Sequence, residues 1–413
     1  MQQRWITGPT GVRADNRGMR VLERRVLVVV PHVVAGTRLM DVLPLLEADH
    51  RVQVVFTVAP NELGEIWHGT PAYVQAQGGV VLPWEQVMQA RFDLVLAASP
   101  TGVSELIGPL MLMPHGAGAL GSRLRYRSVG PDAAPAHCLD QHVLVRRGQL
   151  LPAALVLSSQ SELAELERSC PQALPVTVVA GDICFDRLTA SLAYREHYRA
   201  ALSVRDGEQL ITVTSTWRPD SAFGQRPDLF DRLLAALPRD QYRVAAILHP
   251  NIWTVHGAWQ VQAWLADNLR AGLMIIPPEE GWRAAVVAAD WVIGDHGSVT
   301  QYAAGATDVP VLLAAFPDHA IRPGSLADIV GRSAQRLRLD RPLPQQLTMA
   351  ATTRDPQRQL PIRELITAQP GRAGTILRQT MYRLMNLPEP DRPVLAAPVP
   401  LPRPIRYPWV ELP

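Results

Sequence analysis

Seven residues, Arg24 to Val30, read RRVLVVV, and nothing else in the sequence constrains the fold so tightly. The run is too short to span a bilayer. It is also too uniformly apolar for a strand with one face in water. A valine-rich stretch of this kind asks for cover on both faces, as in a parallel sheet flanked by helices.

The pattern then repeats. Strand-like runs recur at 51–58, 79–83, 92–99, 110–114, 152–159 and 176–181, with helical stretches near 36–48, 160–169 and 191–202. After a polar interval it restarts at QLITVTSTW (209–217), followed by runs at 242–250, 272–277, 290–297 and 309–315. Helical segments are expected between them at 226–237, 256–268, 280–289 and 298–305. Strands separated by helix-length spacers imply βαβ units and right-handed crossovers. The chain is therefore expected to be α/β, with two facing Rossmann-like domains and a cleft between them. The boundary falls within 203–208, giving an extension at 1–23, domains at 24–205 and 206–386, and a Pro-rich tail at 387–413. Beyond 340 the pattern fades, although 371–386 reads as helical. Prolines in the tail fix φ and remove donors, so it should run extended rather than join a sheet.

Bulk properties exclude several classes. A length of 413 residues suits two domains, and a net charge of +2 makes no case for nucleic acid or an anionic membrane surface. No apolar run is long enough for an integral membrane span, and from the basic, polar start no signal peptide is expected. Three cysteines, Cys138, Cys170 and Cys184, lack metal-ligand spacing and suit buried thiols in a reducing cytoplasm.

Ligands of doubly wound sheets bind beyond the carboxyl ends of the strands, so the strand ends are the places to read. GDHGSVTQYAAG (294–305) ends a strand in Asp295, turns at His296 and Gly297, and opens a helix at Ser298. With Ser298 as N-cap, its hydroxyl and the free N–H groups of Val299 and Thr300 make a cradle for a diphosphate. An ordinary capped helix that binds nothing has the same local pattern. At 212–220, TVTSTWRPD delivers Thr216 and Arg218, whose planar guanidinium suits bidentate phosphate contact. AAILHPN (245–251) places His249 past the next strand.

Two His-Gly pairs compete for the role of base. His115 follows LMLMP at a strand end, and Gly116 and Gly118 permit close backbone approach to a ligand. His68, within WHGTP (67–71), lies in a turn-rich connection that no strand delivers. Position favours His115, a general base on an acceptor hydroxyl. Gly116, Gly118 and Gly121 also spell G-x-G-x-x-G, but that fingerprint belongs in a first βαβ unit, opening a helix. Here it follows a late strand. No Walker A, H-E-x-x-H, G-x-S-x-G or paired C-x-x-C occurs, so neither a metal nor a cofactor is expected. Charge on a leaving phosphate then falls to helix N–H groups, Arg218 and His249.

The ordered series HG, GDICFDRL, TSTWRP, LHPN, DWVIGDHGSVTQYAA and VPVLL resembles the CDP-glycerol glycerophosphotransferase family, the teichoic acid polymerases of GT-B fold, from about 110 to 315. The resemblance implies that His115 activates the acceptor hydroxyl. It also implies that His249 and Arg218 stabilise the nucleotide diphosphate, that Ser298 and Thr300 hold it, and that Asp295 orders the turn. DHGS stands where the family has Asp-Tyr-Ser-Ser, and the family's basic membrane-docking region has no counterpart. A nucleotide-activated donor and a soluble hydroxyl acceptor are the expected partners, with homo-oligomerisation left open. A non-hydrolysing sugar-nucleotide epimerase and a non-catalytic binding protein of the same fold are the alternatives.

Overall fold

The structure is a computed structural model that describes residues 22–61, 67–119, 138–353 and 355–406. The extension over 1–21, Gly121 and the last tail residues, 407–413, lie outside the described residues. The chain forms two compact units. One comprises 1–120, 135–184 and 367–396; the other comprises 121–134, 185–366 and 397–413.

The first unit carries a seven-stranded sheet. Its strands are β1 (Arg24–Val30), β2 (Val52–Val58), β3 (Val80–Val81), β4 (Leu94–Ala97), β5 (Leu110–Leu112), β8 (Ala154–Leu157) and β9 (Thr177–Val179). A two-stranded hairpin, β6 (Val145–Arg146) with β7 (Gln149–Leu150), precedes β8 and was not legible in the sequence. The sheet order is β3-β2-β1-β4-β5-β8-β9, every pairing parallel. The valine run behaves as its composition demands: Val26, Val28 and Val30 enter one core and Leu27 and Val29 the other, all fully buried. Each such side chain contributes about 1.5–3 kcal/mol on burial.

The second unit carries β10 (Gln209–Ser215), β11 (Tyr242–Leu248), β12 (Met274–Ile276), β13 (Trp291–Gly294), β14 (Val311–Leu313) and β15 (Gln335–Arg336). Their order is β12-β11-β10-β13-β14-β15, again parallel throughout. Both sheets therefore reverse direction once, between β1 and β4 in the first and between β10 and β13 in the second. Ligands of open α/β sheets bind at such switch points.

Two expectations need revision. The helix expected over 256–268 is three short pieces, Pro250–His256, Ala258–Trp264 and Ala266–Arg270, the first break falling at Gly257. Beyond 340 the chain forms the helices Leu343–Thr352 and Gln359–Ile366, where the sequence pattern fades. The helix Ala373–Leu384 packs on the first unit's core through Leu377, Met381 and Tyr382. Over its described residues, 387–406, the tail forms no helix, and one antiparallel bridge ties it to the edge strand β12, where Ile405 and Ile275 exchange hydrogen bonds of 2.7 and 3.0 Å. Among the described residues no helix is long and apolar enough to cross a membrane.

Tyr382 anchors its helix by donating to Asp49 Oδ2 at 2.8 Å, and Asp49 also pairs with Arg51 at 2.7 Å. The Arg51 bond, with the Tyr382 hydroxyl assisting, holds the Asp49 carboxyl well below its ordinary range against the cost of burial. A depressed folded pKa stabilises above the unfolded value, about 3.9, and that contribution is lost as the pH falls towards the folded one. Tyr382→Phe should shrink this acid-side loss; melting curves between about pH 2 and 5 read it directly, and unchanged curves would dismiss the anchor.

Candidate functional site

In the second unit the switch point is closed by one carboxylate. Asp295 follows β13 and is 1% exposed. Its Oδ2 accepts from the amides of Thr216 and Ala222, both at 2.9 Å, and its Oδ1 accepts from Gly297 N at 2.9 Å. The first of these bonds crosses directly from the β13 exit to the β10 exit. Burial pushes the Asp295 carboxyl up from its ordinary value, while the His296 charge and the three amides pull it back part of the way.

The helix that follows is Ser298–Ala306, and its N-cap is Gly297 rather than the expected Ser298. Serine is the better intrinsic cap, but position 297 is crowded. A Cβ there would stand 3.0 Å from Asp295 Oδ1 and 3.1 Å from the Thr216 Cβ. The glycine permits the close approach of the two strand exits. Ser298 is thus the first helical residue. The amides of Ser298, Val299 and Thr300 have no acceptor inside the helix, as at any helix start. Ser298 and Val299 are half-buried, at the end of the helix where the dipole is positive.

Not every group named from the sequence remains available to a ligand. The Gly297 and Thr216 amides are taken by Asp295. The buried Thr300 hydroxyl accepts from Asp295 N at 3.2 Å, so its contribution is its amide. His296 is buried, and its carbonyl accepts from Gln301 Nε2 at 2.9 Å. These bonds fix the turn at the helix start, where Thr300 is fully buried.

The β10 exit adds a cation. Trp217 stacks on the His249 ring at a centroid separation of 6.2 Å, and the Arg218 guanidinium lies 4.8 Å over the Trp217 ring. Arg218 is exposed, and its φ of +96° is a left-handed conformation that costs an arginine about 1–3 kcal/mol. His249 caps the helix Pro250–His256, its Nδ1 accepting from Asn251 N at 3.1 Å. An imidazole whose Nδ1 accepts keeps its hydrogen on Nε2 when neutral. Neutral His249 thereby carries its hydrogen on Nε2. Arg218, Thr216, His249, Asp295 and the helix start are together in one unit; His115 is in the other.

His115 shows the opposite tautomer. It follows β5, half-buried, with Nδ1 2.9 Å from the Ala98 carbonyl past β4. A carbonyl only accepts, so the hydrogen sits on Nδ1 and Nε2 carries the lone pair. Burial, and then the Arg38 charge, hold the imidazole below its ordinary pKa, opposed by the Ala98 bond. The ring is therefore neutral and basic at neutral pH. Gly116 to Ala119 form bends instead of the first turn of a helix, unlike a dinucleotide fingerprint. Gly118 has φ of +85°, and a Cβ there would come within 2.5 Å of Glu162 Oε1. Glu162, in the capping box of the helix Gln160–Ser169, accepts from the amides of Ala119 and of Ser158 at 2.6 Å. His68 is exposed in the turn that opens the helix Thr70–Ala76.

Sequence reasoning missed two groups here. His32 follows β1, caps the helix Val33–Val42 through Nδ1, and meets the His115 ring edge-on at 5.1 Å. The strand-end rule applied to VLVVVPH would have found it. Arg38, in the same helix, pairs with Asp182. No local signal announces a partner so distant in sequence.

No family model matches the sequence, and comparison with curated proteins returns no match. Among solved structures the chain is similar to a variant of the wall teichoic acid polymerase TagF, at 12% identity and a TM-score of 0.53 over 88% of this chain and 89% of that one. It is similar too to the Methanocaldococcus jannaschii UDP-GlcNAc 2-epimerase in complex with UDP-GlcNAc and UDP, at 13% identity and a TM-score of 0.52 over 87% of this chain and 99% of that one. At such identities the likeness is one of fold: two Rossmann-like domains with parallel sheets, of GT-B type.

Proposed function

We propose that the chain is a transferase that moves a glycosyl or glycerophosphate-type group from a nucleoside-diphosphate donor to an acceptor hydroxyl. The observation that carries this reading is the second unit's switch point. The helix-start amides, an Nε2–H donor and a strained, exposed arginine all lie at the exits of the neighbouring strands β13, β11 and β10. Oriented amides and a helix dipole suit a diphosphate, and they stabilise the charge that grows on it as the bond to the transferred group breaks. His115, with its Nδ1 on the Ala98 carbonyl and its lone pair on Nε2, takes the acceptor's proton. The neighbours of like fold include a teichoic acid polymerase and an enzyme bound to UDP, which supports a nucleotide-activated donor.

The epimerase reading needs carboxylates to shuttle protons. Asp182 spends both oxygens on Arg38, and Glu162 is engaged by backbone amides, which favours transfer. Incubating a nucleotide sugar without acceptor separates the two, since an isomer forms only by epimerisation.

A thermal-shift screen with UDP, CDP, GDP and ADP tests the donor site. A nucleotide at a hundred times its Kd should stabilise the protein by about 2.7 kcal/mol. Arg218→Ala should weaken the responding nucleotide by about 1.5–3 kcal/mol, the worth of a charge-assisted contact. Silence from all four nucleotides would favour a non-catalytic binding protein.

A further inference from the structure

Arg38 is 5% exposed, in the helix that leaves β1. Its Nη1 donates to Asp182 Oδ1 at 3.2 Å and its Nη2 to Oδ2 at 3.1 Å. The same Nη2 donates to the Gly116 carbonyl at 3.0 Å. Asp182 follows β9 and is itself held, its amide donating to the Thr367 hydroxyl at 3.1 Å. One guanidinium thus ties together the chain leaving β1, β5 and β9. As a source of stability this arrangement is poor, because desolvating two charges offsets most of their attraction. An apolar pair would fill the space as well. It could not grip the carbonyl one residue beyond His115.

We propose that Arg38, oriented by Asp182, is a positioning residue for His115, pinning the backbone next to the imidazole so that Nδ1 stays on Ala98 and Nε2 faces the acceptor. The proposal rests on the reading of His115 as base. The groups around that ring are His32 and Arg38 from the helix after β1, the Ala98 carbonyl after β4, and Glu162 through the Ala119 amide. Asp182 bears on it through Arg38. Of these charges, the Arg38 guanidinium disfavours the imidazolium, and its removal should let the ring protonate more readily.

The test uses nitrogen-resolved NMR of the histidine rings in the full-length protein, with His115→Asn to assign the resonance. The double variant Arg38→Met, Asp182→Leu removes both charges together, so no buried ion is left unpaired. Wild-type protein should show a single Nδ1–H tautomer for His115. The double variant should show mixed tautomers and a higher titration midpoint. Arg38→Lys keeps the charge but not the fork, so its tautomers should mix while its midpoint stays low. A folded double variant with wild-type tautomer and midpoint overturns the proposal, as does a lysine variant with an unmixed tautomer. No substrate enters this measurement, so it stands or falls apart from the transferase reading. That reading fails instead if His115→Ala transfers at the wild-type rate.

Discussion

Replacing His115 by alanine should lower turnover about 10²–10⁴-fold, the usual worth of a positioned general base. Affinity for the nucleotide should not change, because the imidazole and the helix-start amides belong to different units of the chain. The pH profile sharpens the test. Burial and the Arg38 charge depress the imidazole's pKa, so the basic form should already dominate below the ordinary histidine value, about 6.5. The wild-type rate should rise through that lower pKa and be flat above it, and the residual rate of the variant should lose this rise. Calorimetric titration with the responding nucleotide completes the comparison. If affinity falls in step with turnover, His115 is holding the nucleotide and is not the base.

The second large effect is expected at Asp295. Asp295→Ala strands the amides of Thr216, Ala222 and Gly297, all of which bond to that carboxylate. An unmade bond to a buried donor costs about 1–3 kcal/mol, so a loss of about 3 kcal/mol or more is expected. For a unit of this size that is a fall in Tm of about 6–12 °C. Nucleotide affinity should fall too, since the same bonds hold the Thr216–Arg218 turn beside the helix start. Asp295→Asn separates charge from geometry. Burial raises the folded pKa of Asp295, so its titration favours the fold below the ordinary aspartate range and disfavours it as the pH climbs to the folded pKa. Asparagine should flatten that part of the stability curve. Unaltered melting and unaltered affinity in Asp295→Ala would remove Asp295 from the site's framework.

What could be read in advance followed the range of the interaction. Val26 to Val30 announced their two-sided burial because an unbroken apolar run has few other uses. Strand ends are visible in a sequence, and the structure puts His115, His249, Thr216 and Asp295 just past them as read. The cap was misplaced by one residue: Ser298 has the better intrinsic preference, but the packing of Thr216 against position 297 settles the matter and is a tertiary fact. The opposite tautomers of His115 and His249 depend on one carbonyl and one amide, and residue identity carries neither. The pairing of Arg38 with Asp182 was out of reach for the same reason, as was the docking of Tyr382 on Asp49. His32 is different, since its position was legible and simply went unread.

The helix Ala373–Leu384 also sets an order of events during synthesis. Ribosomes extend a chain from its amino end, so β1 to β9 emerge long before the helix that covers one side of their core. Leu45 and its neighbours stay uncovered until the whole of 185–366 has been made. The part of the protein translated first therefore waits for a helix made only after most of the second unit. A nascent chain stalled before Ala373 should be held by chaperones, however well its remaining sequence folds.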